Sequence, residues 1–253
     1  GACNVILDGK LMRSCVVKMS AVPDEAQITT VEGIGQPGNL HPIQAALVAH
    51  GAPQCGYCMS GMVVSAKAFL DENKNPTRQQ VRDWLTKYHN ACRCNGYKPI
   101  VDSVMDAAKI LRGELTVKKL EFKLPKDGRI WGSKYPRPSA IAKVTGTFDY
   151  GADAGAKLPP GTLQLALVQA KVSHANIKGI DTSEAEKMPG VFRVLTYKDV
   201  KGKNRITGLI TFSTNKGDGW DRPILCDKKV FQLGDAIAIV CADTEAHARA
   251  AAD

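Results

Sequence analysis

Two cysteine pairs carry the chemistry this sequence can do. "PQCGYC" at Pro53–Cys58 holds a C-x-x-C, and "NACRCNGYKP" holds a C-x-C at Cys92 and Cys94. Read alone, a C-x-x-C serves as a thiol–disulfide couple, half of a zinc site or half of an iron–sulfur site. A thioredoxin-like couple belongs in a βαβ setting, which the surrounding pattern lacks. Four-cysteine zinc ribbons usually pair C-x-x-C with a second C-x-x-C at a shorter interval, so the C-x-C suits zinc less well. The spacing favours iron–sulfur, with zinc and redox thiols behind it, since four-thiolate sets serve both metals.

The flanking residues point the same way. Each cysteine pair precedes a predicted helix, and a cluster held by four thiolates is anionic. Two facing helix N-termini would supply free backbone N–H groups and a favourable dipole. Gly56 and Gly96, beside the thiols, let the backbone approach closely. Six of the eight cysteines fall before residue 95, including Cys3 and Cys15. The plant-type ferredoxin pattern is C-x₄-C-x₂-C with a distant fourth cysteine, and "GAC" has the form of the end of its C-x₂-C. Two unrelated thiols near a strand pair are the plain alternative. Cys226 and Cys241 stand alone and read as core residues. His41, His50, His89, His174 and His247 share no ligand spacing and read as caps or surface groups.

Several elements must position these thiols. Residues 5–19 read as a β-hairpin around Asp8-Gly9, with Cys15 on its second strand. "AQITTVEG" adds a short strand before the Gly/Pro-rich "GIGQPGN". Four amphipathic helices follow, which suggests a small bundle. The first opens on Asn39 as N-cap, with Pro42 in its first turn, ends at Gly51 and faces inward with Ile43, Ala46, Leu47 and His50. The second starts near Met59 and lines up Met62, Val63, Ala66, Phe69 and Leu70. The third opens on a Thr77-x-x-Gln80 capping box and aligns Val81, Trp84, Leu85 and Tyr88. The fourth has Pro99 in its first turn, stops at Gly113 and aligns Val101, Val104, Met105, Ala108 and Leu111. Residues 114–150 lose periodicity and read as an extended linker lying on other structure. Beyond it, "TLQLALVQA" and "VFRVLT" read as strands, "TSEAEKM" as a short helix, and "DAIAIVC" as a buried strand feeding the helix "TEAHARAAA". The fold class is therefore α+β and multidomain.

Bulk properties exclude some functions. The 253 residues can bury a real core. There is no apolar run of membrane-spanning length. A formal net charge of +9 invites a nucleic-acid reading, but the basic residues are scattered and no recognition helix or aromatic-interleaved stripe appears. Neither a nucleic-acid nor a membrane partner is expected. Without a secretory signal, eight cysteines fit reduced thiols and metal in the cytoplasm. The chain begins "GACNV" inside an apparent structural unit and stops within a predicted helix, so it reads as a fragment.

"GACNVILDGKLMRSC", "QCGYCMSGMVVSAKAFLDEN", "ACRCNGYKPIVDSVMDAAK" and "DGRIWGSKYPRPSAIAKVTG" together resemble the xanthine oxidase family of molybdenum hydroxylases. Within it, the similarity is greatest to flavin-free bacterial aldehyde oxidoreductases. The resemblance implies the C-terminal part of a β-grasp plant-type [2Fe–2S] domain at 1–36 and a four-helix [2Fe–2S] domain at 37–113. It further implies a linker at 114–150 and the start of a hammerhead-like molybdenum domain at 151–253. By position, Cys55, Cys58, Cys92 and Cys94 would hold the cluster nearer the molybdenum, and Cys3 and Cys15 would be two ligands of an outer cluster. Gln54 would hydrogen-bond the pterin of the molybdopterin (cytosine dinucleotide) cofactor, and Cys94 would also touch it. An amide both donates and accepts, as a pterin edge requires. Ser60 departs from the family, where proline is common.

The linker is too short for the FAD domain of flavin-containing relatives, so no FAD is expected. The implied parent oxidises aldehydes to carboxylic acids, forms a homodimer and passes electrons to a flavodoxin or ferredoxin-like acceptor. No catalytic residue of the parent falls in this chain. A purine or other N-heterocycle is the alternative substrate class, and a zinc-stapled interaction module the alternative from outside the family.

Overall fold

Asp8 and Gly9 both adopt positive φ (46° and 78°), the geometry of a tight hairpin turn between right-twisted strands. They join β1 (Asn4–Leu7) to β2 (Lys10–Arg13), paired antiparallel with Val5 opposite Met12. In this computed structural model, residues 1–205 and 222–253 are described. β3 (Ile28–Thr29) adds to the other edge of β1, giving the order β2-β1-β3. The hairpin is shorter than expected. The Ser14 N–H and Oγ both bond the Cys3 carbonyl, at 3.1 and 2.9 Å. The chain then turns into a 3₁₀ segment at Ser14–Val16, so Cys15 lies on that turn and not on the strand.

The four helices form as the periodicity predicts: α1 (Pro42–Ala49), α2 (Met59–Glu72), α3 (Arg78–Lys87) and α4 (Tyr97–Leu111). Thr77 and Gln80 make the reciprocal capping box. The N-cap of α1 is His41 and not Asn39. Proline at the first helical position forces the residue before it to be extended, and His41 sits at ψ 149° with its Nδ1 accepting from the Ile43 N–H at 3.2 Å. Asn39 instead closes a turn on Gln36, its N–H reaching the Gln36 carbonyl at 2.9 Å. Met59, Met62, Val63 and Leu70 of α2 are buried among Ile43 and Leu47 of α1, Val81 of α3, and Ile100 and Val104 of α4. Leu111, expected inside, is 37% exposed in the last turn of α4.

The segment after α4 is less extended than its composition suggests. α5 (Val117–Leu120) packs on α1, and α6 (Ala140–Thr145) packs on α1 and α2. Ala140 and Val144 are buried, and Gly146 ends α6 in the left-handed region (φ 77°). Short apolar spacing in "AIAKVT" sufficed for a single turn and a half once the bundle offered a face to cover. Hairpin, helices and this segment form one compact unit, Gly1–Gly151.

The second unit, Ala152–Asp253, is α+β. α7 (Gly151–Ala156) spans the boundary. β4 (Gln164–Gln169), β8 (Ala236–Ala242) and β6 (Val191–Leu195) form an antiparallel sheet in the order β4-β8-β6. A two-stranded ribbon pairs β5 (Ala175–Asn176) with β7 (Lys229–Val230). Central β8 buries Val240 and Ala242 completely, and α8 (Glu245–Ala252), capped by Thr244 on the His247 N–H, packs on β4 and β8. The helix expected in "TSEAEKM" is a 3₁₀ turn at Ala185–Lys187. No helix among the described residues is long and apolar enough to cross a membrane.

Candidate iron–sulfur site

The loop after α1 carries Gln54, Cys55 and Cys58 to the start of α2, and the loop after α3 carries Cys92 and Cys94 to the start of α4. Both helix starts belong to one packed core, so the two loops meet. The thiols fall in pairs drawn across the motifs: Cys94 lies close enough to Cys55, and Cys92 close enough to Cys58, to shift its partner's titration. Cys58 and Cys92 are buried, Cys94 is half-buried, and Cys55 is exposed beside exposed Tyr57. Two such pairs would offer two sulfurs to each of two metal ions. Among the described residues no group of three or more His, Cys, Asp or Glu side chains is gathered closely enough to hold one metal ion. That donor set suits a binuclear cluster better than one tetrahedral zinc.

Electrostatics divides the thiols. The Tyr57 backbone N–H, then the Cys94 thiol, hold Cys55 below the ordinary thiol range, with Lys143 contributing. Burial, then the neighbouring Cys92, push Cys58 up to about 12. A metal binding there must displace its proton, as thiolate ligation requires.

The backbone is shaped around the sulfurs. Gly56 has φ 91°, and a Cβ there would lie 2.6 Å from both Lys143 Cδ and Tyr150 Oη. The Gly96 N–H approaches Cys92 Sγ at 3.4 Å, and a Cβ on Gly96 would lie 3.3 Å from Gln54 Nε2. Asn95 takes a left-handed φ of 59° between them. The Cys92 N–H donates to Tyr97 Oη at 2.9 Å. Ser60 Oγ donates to the Ala2 carbonyl at 3.2 Å, a bond that proline could not make.

Cys3 and Cys15 also meet, with Sγ atoms 3.0 Å apart. Their mutual hydrogen bond lowers the Cys3 pKa and raises that of Cys15. The buried pair Asn4 Nδ2–Asn90 Oδ1, at 3.2 Å, ties this strand to the loop before Cys92. Cys226 and Cys241 are buried in the second unit. His41 caps α1, while His50 pairs with Asp106 at 2.9 Å and His247 with Asp243 at 2.6 Å.

Sequence reading missed the residues that clamp the first loop. Lys143 of α6 donates from Nζ to the Gln54 carbonyl at 2.7 Å, and Tyr150 Oη donates to the Cys55 carbonyl at 3.4 Å. The one available signal was a lysine set within the apolar run "AIAKV".

Fold and thiols together define a [2Fe–2S]-binding protein joined to a second, α+β domain. The family described as "[2Fe-2S] binding domain" matches residues 30–105, and "Aldehyde oxidase and xanthine dehydrogenase, a/b hammerhead domain" matches residues 145–253. The chain is 71% identical over all 253 residues to an aldehyde oxidoreductase of Megalodesulfovibrio gigas, spanning 28% of that protein's length. It is 38% identical over 109 residues to the nicotinate dehydrogenase small FeS subunit of Eubacterium barkeri, covering 43% of this chain and 68% of that one. The solved aldehyde oxidoreductase of Desulfovibrio desulfuricans superposes with a TM-score of 0.83 at 70% identity, over 100% of this chain and 28% of that one. The chain belongs to the xanthine oxidase family of molybdenum hydroxylases.

Proposed function

We propose that this chain is the electron-transfer portion, with the opening of the molybdenum-binding domain, of an enzyme that oxidises aldehydes to carboxylic acids. The carrying observation is 71% identity that runs unbroken through helices, linker and hammerhead region, relative to a protein named aldehyde oxidoreductase. When bound, the molybdenum cofactor would accept the two electrons released as an aldehyde takes up oxygen from water, and [2Fe–2S] clusters would carry those electrons away one at a time.

This chain's residues would hold and orient the relay. Cys55 and Cys94 form one thiol pair and Cys58 and Cys92 the other, at the starts of α2 and α4. Gln54, half-buried, would present its amide to the pterin while Cys55 fixes its backbone to the iron. Half-buried Cys94, next to Cys55, would share that contact. Cys3 and Cys15 would contribute to the outer cluster, whose acceptor would be a flavodoxin or ferredoxin-like protein.

Anaerobic addition of an aldehyde to the full-length protein tests this reading. The expected result is bleaching of the red-brown [2Fe–2S] absorption, with molybdenum and iron in the protein as isolated. Bleaching by nicotinate or a purine but not by any aldehyde would move the substrate to the N-heterocycles. A colourless protein holding zinc would overturn the relay itself.

A further inference from the structure

Among the described residues Lys143 is the one charged side chain that the fold buries, with 9% of its surface exposed. Its place is fixed by the fold. α6 lies on α1 and α2, and the fully buried Gln44 of α1 donates from Nε2 to the Val144 carbonyl at 2.9 Å and to the Gly35 carbonyl at 3.1 Å. Gln44 Oε1 in turn accepts from the His41 N–H at 2.9 Å, so α6 is locked to the N-cap of α1. From that anchored turn the lysine stem crosses directly over Gly56, where a Cβ would lie 2.6 Å from Cδ and 2.7 Å from Cγ. The ammonium ends on the Gln54 carbonyl at 2.7 Å and lies 4.6 Å from the centroid of the Phe148 ring. A glycine inside the C-x-x-C thus admits a cation to the back of the thiol loop.

Burying an ammonium is costly, and one hydrogen bond to a neutral carbonyl with an aromatic face offsets only part of that cost. A cluster held by four thiolates is anionic and becomes more so with each electron it accepts. A fixed positive charge in a low-dielectric region favours the more negative state, and net charge and polarity around the sulfurs set cluster potentials. We infer that Lys143 is a positioning and electrostatic residue of the near cluster: its buried charge raises the reduction potential of that cluster and makes it the better electron acceptor. This inference rests on the cluster reading of the four thiols, not on the identity of the substrate.

The test replaces Lys143 in the full-length protein by Met, which fills the channel over Gly56 without charge, and by Gln, which is neutral but can still donate to the Gln54 carbonyl. Iron content and the visible spectrum are recorded first, and the midpoint potential of the near cluster is then measured by redox titration followed by electron paramagnetic resonance. With iron retained, both variants are expected to disfavour reduction about tenfold, which is about 59 mV for a one-electron couple. An unchanged potential in the Met variant overturns the inference. A wild-type potential in the Gln variant beside a lowered one in the Met variant overturns it too, because the hydrogen bond and not the charge would then be responsible. Loss of iron from both variants makes Lys143 a structural clamp and likewise overturns it. Absence of any [2Fe–2S] spectrum in the wild type would instead remove the cluster reading on which it rests.

Discussion

The four-thiol site and the Cys3–Cys15 pair both bring sulfurs into contact, yet they are built on different foundations. Cys55, Cys58, Cys92 and Cys94 sit at two helix starts whose helices share a core with residues such as Met62, Leu47 and Ile100, all at most 1% exposed. Cys3 sits in the turn just before β1 and Cys15 on a 3₁₀ turn, and only Ile6 and Leu11 of that hairpin reach the same core. At 3.0 Å, the hairpin sulfurs are within hydrogen-bond contact without any large core behind them. Proximity of thiols is thus cheap to arrange. The four-thiol site differs in having its sulfurs held from the starts of two packed helices, with Gly56, Gly96 and backbone N–H groups arranged around them.

The largest expected effect tests that distinction. Cys92→Ala should remove the near cluster and lower the melting temperature of the holoprotein, because the ligands tie the starts of α2 and α4 together and binding is coupled to folding. Cys241→Ala, in β8 of the second unit, should leave iron per chain unchanged. Equal iron loss from both variants would erase the division between ligands and core thiols. A second measurement sharpens the contrast between the two sites. Residues 1–253 reconstituted with iron and sulfide should take up one [2Fe–2S] cluster, giving two irons per chain and one paramagnetic signal on reduction. Four irons per chain would show that Cys3 and Cys15 complete a second cluster with other groups of this chain.

The contrast also explains how much was legible in the sequence. Helices α1 to α4 were readable because their apolar faces recur at helical spacing and their ends carry Pro42, Thr77, Gln80 and Gly113. The thiol set was readable because cysteine spacing is chemistry written along the chain. α6 and Lys143 were not readable, because they gain meaning only from what they cover: a single turn and a half is too short for periodicity, and Gly56 is distant from Lys143 in sequence. From sequence His41 reads only as one of several histidines serving as caps or surface groups, and Asn39 as the N-cap of α1, because a ring nitrogen is an uncommon N-cap acceptor. Cys15 was misplaced because the strand gives way to a 3₁₀ turn at Ser14, whose N–H and Oγ both bond the Cys3 carbonyl, and no periodicity announces a turn of three residues.

A smaller effect is expected at Gln54, which lies between the rigid thiol site and whatever faces exposed Cys55. Gln54→Ala in the full-length enzyme should leave iron intact and cost about 1–3 kcal/mol in unsatisfied hydrogen bonds at the pterin. The readouts are molybdenum per chain and the rate at which aldehyde reduces the near cluster, one or both of which should fall. Gln54→Glu should not rescue either, since it loses the donor and adds charge. Wild-type molybdenum content and turnover in the Ala variant would reduce Gln54 to a loop residue packed on Gly96.

The smallest effect concerns the strap that holds α4 in place behind Cys92 and Cys94. Asp102 of α4 bonds Lys98 at 2.8 Å on its own helix and Arg78 at 2.6 Å at the start of α3. The Lys98 hydrogen bond, followed by Arg78, holds its carboxyl below the ordinary range against an opposing effect of burial. A carboxylate whose pKa is depressed on folding contributes stability above the unfolded value and loses it as pH falls through the folded one. Arg78 and Lys98 are largely solvated, with 44% and 84% of their side-chain surface exposed, so screening keeps the contribution to about 0.5–1 kcal/mol. Asp102→Asn should therefore lower the thermal stability of the holoprotein slightly at pH 7, with iron content unchanged. The gap between wild type and variant should shrink as pH falls from about 4, where the unfolded carboxyl begins to take up a proton, through the lower folded value, where the native carboxylate does so too. It should shrink with added salt as well. Iron loss in Asp102→Asn at pH 7 would mean that the thiol site depends on surface charge and not on its buried core, and the contrast with the hairpin pair would fail at its base.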